Sequence, residues 1–225
     1  MQPSRIAELL HPFVPRTSGQ QLTECDLSDI STYIDMLRRW NTRINLTAIR
    51  DQEEIVTRHF GESLFAAVHL FPARSFTPAG EAATNSVSAP SLADLGSGAG
   101  FPGFPMKLWA RDISLTLIES SHKKATFLRE IARSLKLADV SVENARAEKI
   151  TEKFDLVTLR AVERFGDVLP IALRLLKLEG RLALLISKPQ LGAAFSHGQV
   201  KWQPPIPIPQ SNSRVLLIGR LEQEI

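Results

Sequence analysis

The run Asp94-Leu95-Gly96-Ser97-Gly98-Ala99-Gly100-Phe101-Pro102-Gly103 is the densest group of chemically suggestive residues in this 225-residue chain. Glycines at alternate positions allow positive φ and let the backbone approach a ligand where a Cβ would collide. Asp94 stands at the end of a β-rich run, where an ionised carboxylate needs a hydrogen-bonding or cationic partner; a ligand group would supply one, and a capping turn is the plainer reading. Glu119 ends the next β-rich run, where an acid can accept hydrogen bonds from ribose hydroxyls. Gly98, Gly100 and Gly103 formally match GxGxxG. In the dinucleotide fingerprint, however, the first glycine follows the strand at once, which selects Gly96 and Gly98 and demands Gly or Ala where Phe101 stands. Other chemistries find little support. No nucleophile triad or carboxylate dyad is evident, the five histidines show neither HxxxH nor HxH spacing, and the single cysteine, Cys25, makes neither an internal disulfide nor a thiolate cluster. No metal is expected, and no catalytic acid or base is assigned.

These residues need a scaffold, and the pattern around them supplies one. Short β-rich runs at 92–95, 113–118, 140–142, 154–159 and 182–186 alternate with helical segments at 104–111, 122–136 and 167–177. Such alternation implies a parallel sheet flanked by helices, with ligands bound at the carboxyl ends of the strands. Gly180 reads as the stop of the last helix. Runs at 200–202 and 214–221, with a proline-rich loop and no evident helix between them, predict an antiparallel pair at the sheet edge. Ahead of the α/β part, Leu27, Ile30, Tyr33, Ile34, Leu37, Trp40 and Ile44 recur three or four apart, the period of one helix face. A second helix starts near Asp51, spaced from Glu54 like a capping box, and stops before Pro72. Residues 72–91 hold Pro72, Pro78, Gly80 and Pro90 among Ser, Thr and Ala, and read as a linker. The expected organisation is a helical cap over 1–71, a linker over 72–91 and an α/β domain of about seven strands over 92–225.

Composition agrees with a folded chain: 44% hydrophobic and 23% charged residues are globular proportions. No run approaches the length needed to span a bilayer, and Met1 to Leu10 lacks the apolar core of a secretion signal, so a soluble, cytoplasmic protein is expected. With 27 basic against 24 acidic residues the balance is mild. Its distribution is more telling. Residues 104–136 carry seven basic and three acidic groups, net +4, whereas residues 1–60 carry seven and eight, net −1. The basic excess lies beside the glycine loop, as a nucleic-acid partner would require, and as a solvated helix face would also show.

The tight spacing Gly96, Gly98, Gly100 after an aspartate resembles motif I of the class I S-adenosylmethionine-dependent methyltransferases. A closer resemblance joins several further stretches: Trp40-Asn41-Thr42-Arg43-Ile44-Asn45-Leu46-Thr47-Ala48-Ile49, Arg58-His59-Phe60 with Ser63-Leu64, the loop 94–103, Glu119-Ser120, Lys123 to Arg129, Arg146-Ala147-Glu148, and Phe154-Asp155 leading to Arg160-Ala161. Together, over roughly residues 25–188, these are similar to the bacterial glucose-inhibited division protein B family, methyltransferases that act on guanine N7 in 16S ribosomal RNA. The resemblance implies a Rossmann-like class I methyltransferase fold with an N-terminal helical cap, S-adenosylmethionine as cofactor with S-adenosylhomocysteine as product, and 16S RNA or the small ribosomal subunit as partner. It also implies that Gly96 and Phe101 contact the methionine side of the cofactor, Glu119 its ribose, and Ala147 and Glu148 its adenine region, with Arg160 at the cofactor pocket. Asp94 and Gly98 belong to the same loop and are counted with the cofactor set. His59 and Asn45 lie in matching stretches and are read first as structural. The chain departs from the family at Gly61-Glu62, where leucine-aspartate is usual, at Ser187-Lys188-Pro189, and in a longer 72–91 segment.

Methyl transfer from a sulfonium is an in-line displacement that chiefly needs the nucleophile about 3 Å from the methyl carbon. Guanine N7 offers a lone pair and carries no proton, which suits a sequence without an evident general base. N7 lies on the major-groove edge, which A-form RNA hides, so a loop or opened strand is the expected target. Arg43, Lys123, Lys124 and Arg129 are the candidate RNA contacts. A class I methyltransferase for another RNA or a small molecule, a nucleotide-binding oxidoreductase, and an RNA-binding module with a degenerate cofactor site stay open as alternatives.

Overall fold

The computed structural model describes residues 1–14, 21–72, 89–161 and 164–222. Three helical pieces precede the sheet. Helix α1 (Pro3–Leu10) buries Ile6 and Leu10. Helix α2 (Glu24–Asn41) begins at a capping box, in which the Thr23 hydroxyl accepts the Asp26 N–H while the Asp26 carboxylate accepts the N–H of Thr23. The next helix opens at Asp51, whose carboxylate caps Glu54, and runs as α3 (Gln52–Glu54), a π-helical stretch Ile55–Gly61 and α4 (Glu62–Leu70). Most of the predicted linker, residues 73–88, lies outside the described residues.

The α/β part follows as β1 (Ser91–Leu95), α5 (Gly103–Trp109), β2 (Ser114–Ile118), α6 (His122–Ser134), β3 (Val140–Glu143), β4 (Phe154–Arg160), α7 (Phe165–Arg174), β5 (Leu176–Ser187), α8 (Leu191–Phe195), β6 (Val200–Trp202), β7 (Ile206–Pro207) and β8 (Arg214–Leu221). The sheet order is β3-β2-β1-β4-β5-β8-β6, with β7 also on β8. Strands β1 to β5 pair in parallel, and β8 runs antiparallel between β5 and β6. The antiparallel pair is therefore present, but β8 lies inside the sheet and β6 forms its edge. Three expectations shift. Helix α7 ends at Arg174, so Gly180 does not stop it; Leu176 already pairs with Phe154, and Gly180 lies within β5. Helix α1, the short α8 and β7 were not legible as period or run.

Alternation along the strands distributes the core over both faces of the sheet. Leu92, Leu156, Ala183 and Leu216 join one cluster; Ala93, Val157, Leu182, Leu184 and Leu217 join the other, with α7. The first cluster also takes in Ile6, Ile30, Ile34, Phe60 and Leu64 from the N-terminal helices. These helices thus form a layer on one face of the sheet and share its core. Register then aligns the ends of the strands. Leu95 of β1 lies opposite Ile118 of β2 and Leu159 of β4, so Gly96, Glu119 and Arg160, each the next residue, come to one rim where the strand order reverses between β1 and β4.

Candidate functional site

Three of the loop's four glycines adopt positive φ: 65° at Gly96, 57° at Gly98 and 85° at Gly100. That geometry costs an L side chain roughly 1–2 kcal/mol, which explains glycine at alternate positions. The Gly96 and Ser97 N–H groups bond to Ile118 O at 2.9 and 3.1 Å, tying the loop across to β2. The Gly98 N–H donates to Glu119 Oε2 at 3.0 Å, and the Ser121 N–H to Glu119 Oε1 at 2.7 Å. Glu119 is therefore oriented from both sides at the rim.

Asp94 supports this loop from beneath. Its carboxylate accepts the Gly103 N–H at 3.1 Å and the Thr158 hydroxyl at 3.0 Å, so the partners a buried aspartate needs come from the chain itself. It lines neither of the cavities described below. Burial pushes its carboxyl up to about 7 against those hydrogen bonds. The native state therefore holds this proton over a range in which the unfolded chain has released it, and Asp94 takes stability away as pH rises from about 4 to 7. His59 acts in the opposite direction: burial, then the charges of Arg160, Arg214 and Arg58, hold it down at about 3, so its contribution is lost as pH falls from 6.5 toward 3. The two slopes oppose each other between about 4 and 6.5. In urea titrations the stability of Asp94→Asn relative to wild type is expected to grow with pH across 4 to 7; a pH-independent difference would contradict this assignment.

Two cavities meet at Gly96. The first, about 330 Å³, is lined by Gly96, Glu119, Arg146, Ala147, Glu148 and Arg164 among others. Ala147 and Glu148 stand on a single 3₁₀ turn, Ala147–Lys149, held by Arg174, which donates to the carbonyls of Ala147, Glu148 and Ile150 at 2.9–3.3 Å. The second, about 290 Å³, is lined by Thr47, His59, Gly98, Phe101, Lys124 and Arg160 among others. A Cβ at Gly96 would meet nothing within 4 Å, so the backbone here faces open space from both sides. Phe101 is both core and lining. Its ring stacks on Tyr33 at 5.3 Å and on His59 at 4.8 Å, and still reaches the second cavity.

The wall opposite the loop is charged, and sequence reasoning missed how. Glu62, fully buried, receives Arg58 Nε at 3.2 Å, Arg160 at 3.1 Å and Arg214 at 2.6 Å. It is a hub that joins the π-helical segment, β4 and β8. Adjacent Gly61 has no room for a side chain, because the Phe13 ring lies 2.7 Å from where its Cβ would be. Gly61 and Glu62 are thus fitted to Phe13 and to two arginines distant in sequence, which no single local stretch displays. Arg160 also donates to Arg58 O at 2.7 Å, yet its buried Nε has no partner. His59 Nδ1 is likewise buried without a partner. Asn45 is exposed; the structural role in this stretch belongs to Asn41, which accepts the N–H groups of Leu46 and Thr47 and donates to Thr47 O.

The candidate RNA contacts divide between two places. Lys123, Lys124 and Arg129 lie on α6; Lys124 reaches the second cavity, Lys123 is exposed, and Arg129 is exposed with one nitrogen on Val142 O. Arg43 is exposed on the turn after α2. Among the described residues no group of three or more His, Cys, Asp or Glu could hold a metal, and no helix is long and apolar enough to cross a membrane.

Comparison with known proteins adds a second line of observation. Residues 26–191 match the family model described as rRNA small subunit methyltransferase G. A protein of Roseiflexus sp. (strain RS-1) named ribosomal RNA small subunit methyltransferase G is 40% identical over 173 residues, 74% of this chain and 68% of its own. Its counterpart of the same name in Roseiflexus castenholzii is 36% identical over 214 residues, covering 89% and 85%. Among solved structures, ribosomal protein L11 methylase of Lactobacillus delbrueckii subsp. bulgaricus superposes with a TM-score of 0.55 at 18% identity over 72% of this chain and 80% of that one. P. horikoshii TYW2, solved in complex with MeSAdo, superposes with a TM-score of 0.55 at 14% identity, covering 73% and 62%. At such identities the likeness is one of fold.

Proposed function

Since the chain belongs to the rRNA small subunit methyltransferase G family, we infer that it moves a methyl group from S-adenosylmethionine to N7 of a guanine in 16S ribosomal RNA, at the rim of the sheet around Gly96. The observation that carries this siting is that two cavities share Gly96, a residue with no side chain, as a lining residue, so that a cofactor laid along the rim has no side chain of this residue between it and an acceptor.

The residues present fit the cofactor. Gly96 and Gly98 form a cradle with no Cβ in it, and Arg160 Nε is a buried donor without a partner. Glu119 would take the ribose hydroxyls, Ala147 and Glu148 would flank the adenine, Phe101 would border the methionine side, and Arg160 would donate to the methionine carboxylate. Asp94 serves from below by holding Gly103 and Thr158. When bound, the sulfonium supplies an electrophilic methyl carbon. The chain supplies position: N7 carries no proton, so no side chain need remove one, and the protein's task is to hold the two partners in line. Glu62 keeps Arg160 in place while balancing part of its charge. His59, held near 3, stays neutral at pH 7 and adds no positive charge beside a base that becomes cationic.

Incubation with labelled S-adenosylmethionine and small ribosomal particles lacking the modification is expected to place one methyl group on guanine N7; label elsewhere, or none, overturns the reading. In the same preparation, Lys123→Ser with Lys124→Ser is expected to reduce the slope of log K against log salt by roughly 1.5, as loss of two phosphate contacts requires. An unchanged slope would remove these lysines from the RNA interface.

A further inference from the structure

Two buried polar atoms at the second cavity lack partners, and only one of them, Arg160 Nε, is used by the reading above. The other is His59 Nδ1, on a side chain more than nine-tenths buried. One of its two neutral tautomers has Thr47 as the donor. Thr47 Oγ1 accepts the N–H of Ile49 at 3.1 Å and lies 2.7 Å from His59 Nε2, to which its hydroxyl can donate. A neutral imidazole that accepts at Nε2 carries its proton on Nδ1. In that tautomer the ring, which lines the second cavity, holds an unmatched buried N–H donor, and such a donor is costly. Its direction is set by three contacts: Thr47 at one edge, Phe101 stacked on its face at 4.8 Å, and the π-helical stretch Ile55–Gly61, an irregularity of a kind that recurs at functional sites.

The guest must therefore offer an acceptor. On the edge that carries N7, guanine shows the acceptors N7 and O6, whereas adenine shows N7 and an N6 amine donor. A donor placed on N7 would block the attacking lone pair; one placed on O6 leaves it free and repels adenine. We propose that His59 reads the target base by donating from Nδ1 to guanine O6, making it a specificity-determining residue of the methyl transfer. The proposal rests on the RNA reading above and deepens it. Thr47, held by Asn41 in the turn after α2, acts through His59 as a positioning residue by selecting the tautomer.

Three versions of the 16S target, assembled into small-subunit particles, separate the outcomes: guanine, hypoxanthine (keeps O6 and N7) and 2-aminopurine (keeps N7, lacks O6). His59→Phe, which keeps a ring over Phe101 and removes the donor, is expected to lower kcat/KM on the order of 100-fold on guanine and hypoxanthine and by under about threefold on 2-aminopurine. His59→Asn, whose amide can offer an N–H near the Nδ1 position, should recover about tenfold of that loss. The Kd for S-adenosylmethionine, measured by calorimetry, should stay within about twofold in both variants. An equal loss on all three RNAs, or a Kd that rises in step with the lost rate, overturns the proposal in favour of a structural or cofactor role. Should His59→Phe fail to fold, wild type decides alone: 2-aminopurine methylated as efficiently as guanine sinks the O6 contact. No transfer to guanine by wild type would instead overturn the RNA reading, and this proposal with it.

Discussion

Replacing Glu62 with alanine is expected to destabilise the protein by about 3–5 kcal/mol, the range for removing one partner from a buried ion pair. The reason lies in what remains. Arg160 is nearly buried on β4, with Arg58 and Arg214 beside it at roughly one-third exposure, and without the carboxylate three guanidinium groups crowd together after losing the partner they share. Arg58 keeps Glu54 at 3.4 Å and Arg214 can swing toward water; Arg160 cannot. Glu62→Gln separates charge from shape, since it keeps the volume and one acceptor oxygen while turning an N–H toward a donor, and it should lie between wild type and alanine. The change should also reach the cofactor, because Arg160 would lose the partner that orients it. Urea denaturation and calorimetric titration with S-adenosylmethionine read the two effects, and Glu62→Ala within about 1 kcal/mol of wild type would show that the hub is not a structural necessity.

The second large effect separates two glycines of one loop. At Gly96 a Cβ meets nothing within 4 Å, so the cost of Gly96→Val should be chiefly the strain of positive φ, roughly 1–3 kcal/mol. The added isopropyl group would, however, occupy the space where both cavities meet, and affinity for S-adenosylmethionine is expected to fall by 100-fold or more. At Gly100 the same φ problem is joined by collision: a Cβ would overlap the Phe104 ring and lie 2.5 Å from the Tyr33 hydroxyl. That hydroxyl donates to Ala99 O, so neither neighbour is free to move. Gly100→Ala should therefore destabilise by about 3 kcal/mol, combining strain with overpacking. One substitution should yield a folded protein that does not bind; the other, a protein that folds poorly. Wild-type cofactor affinity in Gly96→Val would remove the proposed seat, whatever its stability.

Much of this molecule is written locally. The runs that became β1 to β4, β6 and β8, the helix periods and the glycine loop all depend on neighbours within a few residues, through backbone sterics and the alternation of buried side chains, so the sequence by itself determined the α/β class and the rim that carries the glycine loop. Gly96, Glu119 and Arg160 stand at strand ends, which meet wherever strands pair in parallel, whereas Ala147 and Glu148, on a turn beyond β3, are singled out by the family resemblance alone. Tertiary structure decided what depends on distant partners. It set Asp94 beneath the loop and away from the cavities, because Gly103 and Thr158 satisfy it. It made Glu62 a hub by bringing Arg160 and Arg214 to it from positions 98 and 152 residues away. It also left His59 Nδ1 buried without a partner, while Thr47 lies against the other nitrogen. A buried ionic or hydrogen-bonding group is stable only when its partners arrive together, and which partners arrive is a property of the fold that no stretch of the chain contains.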